Sequence, residues 1–268
     1  MAKKQGSSRP KMRKQDAGLR KDVLEAIERI WPDGLVEMTF DSEESYFWDI
    51  QTRLTRALQR IEGTDMLHER EAEGEPIWNE GADRDEDPPD DFTYSRSYHL
   101  FFVSPRGAAF AFETEIEGVD EEALAEEFDE PRRMDPPMKS IPGQGRTGWS
   151  IAISLLAPFA VVSLNDMLAF EDGSTSEPGI EPCALTQEGE PIAGLEAQFR
   201  KFHGDQAFEI LRILRSEIVS ILEKHGLTVL QEGEWHKPVF WLRGSEEVFV
   251  GSSDEPIRVL DAFFFERI

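Results

Sequence analysis

The stretch Trp149–Leu164, WSIAISLLAPFAVVSL, constrains this chain more than any other part of it. It carries no charge over sixteen residues, is broken at Pro158, and is followed by Asn165 and Asp166. Such a run is too apolar to stand in water and too short for the ~20 residues that a membrane helix requires. It predicts buried protein: either two strands covered on both faces, Trp149–Leu156 and Phe159–Leu164, or one strand and the start of a helix.

Three amphipathic helices are available to cover it. Leu19, Val23, Ile27 and Ile30 recur at helical spacing until Pro32 and Gly34 stop the pattern. Asp41 with Glu44 forms an N-cap signal for a second helix. Its apolar stripe is Phe47, Ile50, Leu54, Leu58 and Ile61, its solvated face carries Arg53, Arg56 and Arg60, and Gly63 ends it. The third runs from about Ile192 to His225, with a break near Gly204. Its stripe Ala207, Leu211, Leu214, Ile218 and Ile221 is widened by Ile210, Ile213 and Leu222, which predicts a largely covered central helix closed by Gly226.

Strand signals are shorter. Leu35–Phe40 alternates as a half-buried strand. Tyr98–Ser104 and Ala108–Ile116 flank Pro105-Arg106-Gly107 and read as a β-hairpin. In its second strand Phe110, Phe112 and Ile116 point one way, while Glu113, Glu115 and Glu117 form a wet face. Further short strands are expected at Leu227–Leu230, Val239–Leu242, Val248–Val250 and Ile257–Phe265. Together these elements predict an α+β fold, with a mixed or mostly antiparallel sheet packed on two or three helices and acidic loop insertions.

The remaining segments lack core-forming residues. Residues 1–18 read as a disordered basic tail and 19–268 as a single globular domain. Within that domain Glu69–Asp91 carries eleven acids and two arginines, and reads as an acidic loop. Val119–Phe128 reads as a short acidic helix. Arg132–Gly148, rich in Pro and Gly, reads as a connector, with a possible sub-domain boundary at 130–148.

Charge narrows the partners. The net charge is −25, and eight basic residues against Asp16 in positions 1–21 make that end +7, which leaves −32 for the rest. A body of that sign repels phosphate backbones and anionic lipid, so nucleic acid is expected only through the tail residues Lys3, Lys4, Arg9, Lys11, Arg13 and Lys14, and no membrane is expected. Cys183 is the single cysteine, so there is no internal disulfide or cysteine-pair zinc site, and a reducing cytoplasm fits.

No motif fixes a chemistry. Gly143-Gln144-Gly145-Arg146-Thr147-Gly148 matches G-x-G-x-x-G, but PPMKSIP precedes it and a strand-like run follows, the wrong context for a dinucleotide. A looser reading gives it an anion-holding loop through Lys139 and Arg146. The histidines 68, 99, 203, 225 and 236 show no metal-binding spacing, so neither metal nor cofactor is expected. In general character, acidic and α+β without catalytic signatures, the chain is similar to bacterial immunity and antitoxin-type proteins, a likeness of composition.

The leading expectation is therefore a non-enzymatic binding module that docks a basic protein partner. Its candidate contacts are Glu113, Glu115 and Glu117, the loop acids Asp85, Glu86 and Asp87, and the aromatic anchors Trp235 and Trp241. The alternatives are a metal-dependent hydrolase built from scattered carboxylates and a nucleic-acid accessory protein that binds through its tail.

Overall fold

The computed structural model describes residues 18–36, 46–70, 95–119, 138–171, 173, 175–176, 178–180, 192–244, 248–249, 256–264 and 266–267. In chain order the elements are α1 (Lys21–Ile30), β1 (Leu35–Val36), α2 (Tyr46–Leu58), β2 (Thr64–Arg70), β3 (Ser95–Arg96), β4 (Tyr98–Pro105) and β5 (Ala111–Val119). They continue with β6 (Met138–Ser154), β7 (Phe159–Phe170), β8 (Thr175–Ser176), α3 (Ile192–Lys224), β9 (Thr228–Val229), α4 (Glu232–Trp235), β10 (Arg243–Gly244), β11 (Val248–Phe249), α5 (Val259–Phe263) and β12 (Glu266–Arg267). The main sheet runs β2-β4-β6-β7-β8, with β5 also on β6 and β9 parallel to β7. Its other pairings are antiparallel, so the chain has an α+β fold.

The apolar run becomes the heart of this sheet. It forms the hairpin of β6 and β7, paired from Gly143–Phe170 to Ile153–Ala160 and turning at 155–158. Alternation sends Trp149, Ile151, Ile153, Val162 and Leu164 to one face, where Leu54 and Leu58 of α2 and Leu211, Leu214, Ile218 and Leu222 of α3 cover them. Ala152 and Val161 face the other way, into a second core with Val23 and Ile27 of α1, Trp31, Trp235, Val239 and Phe263. Each large aliphatic or aromatic side chain enclosed this way stabilises the fold by about 1.5–3 kcal/mol before entropy is charged against it.

Two indole hydrogen bonds tie the covers down. Trp149 Nε1 donates to the Leu211 carbonyl of α3 at 2.9 Å, and Trp31 Nε1 donates to the Ala262 carbonyl of α5 at 3.0 Å.

Four expectations are corrected. The chain does not turn back at Pro105-Arg106-Gly107, because β4 and β5 both run antiparallel to β6 along the same flank. Between the pairs Val103–Trp149 and Ala111–Arg146 the chain advances eight residues against three on β6, so five residues are looped out of an otherwise collinear path. Residues 138–148 of the expected connector lie in β6 itself. Ile257–Phe265 contains α5 rather than a strand: Asp261 accepts from the Arg258 backbone N–H at 2.8 Å, which closes a helical cap. Val239–Leu242 is a turn, with Leu242 N–H donating to the Val239 carbonyl at 3.0 Å.

Helix α3 is also less covered than its composition implied. Gly204, at φ 83°, breaks it, and beyond the break Ile210 and Ile213 are exposed at 42% and 55%. The tail, the segment 71–94, the expected helix over 120–128, the end of the first strand at 37–40 and Cys183 lie outside the described residues.

Candidate functional site

Beyond the end of β4, the sheet continues as a ribbon of β5, the first half of β6 and the end of β7, with the short β8 on its far side. Aromatic rings require its glycines. A Cβ at Gly145 would collide with the tip of the Phe112 ring, and one at Gly143 would meet the Phe170 ring and the Ala169 carbonyl oxygen. Phe112 pairs directly with Gly145, and Phe170 with Gly143, so each ring lies across the neighbouring strand's bare backbone. Gly148 is different, because a Cβ there would stand 2.5 Å from the Val103 carbonyl oxygen. The G-x-G-x-x-G pattern is thus a strand that accepts cross-strand aromatics, and no helix follows it.

The opposite side of this ribbon is polar. Glu113 pairs with Gln144 and Glu115 with Pro142, which puts both carboxylates on the face away from Phe112. They line an open cleft of about 680 Å³ that Gln144, Phe170 and Glu171 also bound, and among the described residues no basic side chain lines it. Glu113, Glu115 and Glu171 are exposed. Glu115 accepts a hydrogen bond from the Ser140 hydroxyl at 2.8 Å, which orients the carboxylate without neutralising it. Glu171 donates its backbone N–H to the Pro142 carbonyl at 3.0 Å, so the third acid is fixed to the same ribbon.

The other candidates divide. Glu117 continues the strand opposite Ser140. Asp85, Glu86, Asp87 and the tail residues Lys3, Lys4, Arg9, Lys11, Arg13 and Lys14 lie outside the described residues. Trp235 cannot be a surface anchor: it is fully buried in the second core, with Nε1 donating to the Leu230 carbonyl at 3.1 Å. Trp241 is half-buried, and its ring and carbonyl close over Gly34, which holds φ 73°. Neither tryptophan lines the cleft. The proposed anion loop is also otherwise engaged, since Arg146 Nη2 donates to the Pro105 carbonyl at 3.0 Å and lies 3.7 Å from Asp65.

Sequence reasoning missed two groups. Glu171 carried no pattern, because its position depends on where β7 ends. His99 is completely buried, with its ring 4.6 Å from that of Phe101. Burial above all, and then the nearby His68, hold its pKa down to about 4. Its Nε2 lies 3.4 Å from Glu69, whose carboxylate also accepts from Thr55 of α2 at 3.0 Å. The imidazole is neutral at physiological pH, so this contact joins β4, β2 and α2 without an ion pair.

Among the described residues no three His, Cys, Asp or Glu side chains converge as a metal site, and no helix is long and apolar enough to cross a membrane. No family model, curated protein or solved structure matches the chain.

Proposed function

We propose that this protein is a non-enzymatic binding module that docks a basic polypeptide in the cleft at the β5–β6–β7 ribbon. The observation that supports it is the lining: three exposed carboxylates, Glu113, Glu115 and Glu171, with the neutral Gln144 and Pro142, and no cation among the described residues that bound it. Acids held this way lose little on meeting a lysine or arginine, since among the described residues they have no ion pair to give up first. The −25 net charge speeds the encounter, and the cleft localises it.

The test is binding of poly-lysine by the full chain, measured by calorimetry at two salt concentrations. Substituting Glu113→Gln, Glu115→Gln and Glu171→Gln together should weaken binding by about tenfold. Neutralising Glu25, Glu28 and Asp33, equally exposed on and just after α1, should leave it close to unchanged. Equal losses from both sets would reduce the interaction to bulk charge and refute the site.

A further inference from the structure

We infer that the occupant of this site binds by strand addition: an extended segment with basic residues at every second position pairs with the free edge of β5. This rests on the proposed docking of a basic polypeptide and adds its backbone geometry. Three observations carry it.

The first is the edge. All nine residues of β5, Ala111 to Val119, pair with β6 in unbroken register. On the other flank, β2 accompanies β4 only from Arg70–Leu100 to Thr64–Pro105 and stops where β5 has yet to begin. Among the described residues no strand lies beyond β5, so alternate residues turn their N–H and C=O groups outward with no strand partner among those residues. No proline or bulge interrupts β5, although natural edges usually carry such devices.

The second is the side-chain pattern beside that edge. Glu113 and Glu115 stand two residues apart on one face, about 7 Å along the strand. A partner strand places every second side chain opposite them at about 5 Å, so Lys or Arg at positions i and i+2 meets both acids. Its intervening side chains fall on the face of Thr114 and the exposed Ile116, where small or apolar residues fit.

The third selects the occupant. A second copy of β5 would set Glu against Glu, and directly opposed like charges destabilise a pair. The acids that bar self-association at this edge therefore favour a basic strand.

The experiment uses the full chain and three peptides as long as β5. One alternates Lys with Thr and Val, the second has the same composition with its lysines contiguous, and the third is the alternating peptide with N-methyl groups on the backbone nitrogens of one edge. The alternating peptide should bind about tenfold more tightly than its isomer, N-methylation should abolish the difference, and hydrogen exchange at β5 amides should slow in the complex. Equal affinity of all three, abolished by Glu113→Gln/Glu115→Gln, would overturn strand addition and leave charge docking intact. If no peptide binds, both readings fall. If Arg9→Gln/Lys11→Gln/Arg13→Gln in the full chain raises the affinity about tenfold, the chain's own tail holds the edge and a partner does not.

Discussion

Three glycines in one short motif have unequal reasons to be glycine. At Gly145 the obstacle to a methyl group is an aromatic ring, which can rotate aside; at Gly143 it is the Phe170 ring together with the Ala169 carbonyl oxygen, and at Gly148 it is the Val103 carbonyl, part of the neighbouring strand. Gly148→Ala should therefore destabilise the protein by about 3 kcal/mol and Gly145→Ala by about 1 kcal/mol, compared by urea denaturation midpoints. His99 makes a second prediction at this scale. The imidazole stays neutral in the fold until about pH 4 but protonates near its ordinary value of 6.5 in the unfolded chain. The unfolded state thus takes up the proton first. The His99 contribution is complete above pH 6.5 and is lost as pH falls from there toward 4, by up to about 3 kcal/mol. Denaturant titrations of wild type and His99→Gln should converge as pH is lowered through that window; parallel curves would mean that the buried ring accepts its proton without cost.

Among the elements, α3 carries a prediction that isolates backbone strain from packing. Gly204 sits at φ 83° with open space around a would-be Cβ, so Gly204→Ala should cost about 1–2 kcal/mol through conformation alone. A smaller loss would show that α3 straightens to relieve it. This break was legible in the sequence, as were α1, α2, the buried run and the alternation of Glu113 and Glu115, because each rests on periodicity or on a residue with one special conformation. What failed shares a cause. Pro105-Arg106-Gly107 marks an interruption, and interruption is identical for a chain that reverses and one that loops out and continues; only the partner strand β6, far along the sequence, decides. The glycines of β6 read as a connector because strands disfavour glycine, and the rings of Phe112 and Phe170 that reverse this lie on other strands. Helix α5 reads as a strand in the sequence because Val259 to Phe263 are all buried, which erases any period.

At the scale of the whole molecule, charge and topology pull against each other. With a net charge of −25 the chain repels itself, and among the described residues only a few acids are matched at contact distance, such as Glu209 by Arg212 and Asp22 by Arg20. Raising the salt from about 10 mM to about 0.1 M shortens the screening length from ~30 to ~10 Å, and thermal melts should rise by a few degrees. A fall would place the stabilising ion pairs above the repulsion in weight. The central position of β6 has a further consequence, for the order of events in folding. Its pairing with β7 closes a turn of a few residues, whereas its pairing with β4 brings together residues such as His99 and Ile153 across half a hundred positions. Loop-closure entropy makes the first contact fast and the second slow. A destabilising change in the β6–β7 hairpin, Val161→Ala for instance, is expected to slow refolding, whereas Leu100→Ala on β4 should mainly hasten unfolding. The uncharged run that must be buried is then also the part of the chain that hides itself first, before its own length can recruit a neighbour and aggregate.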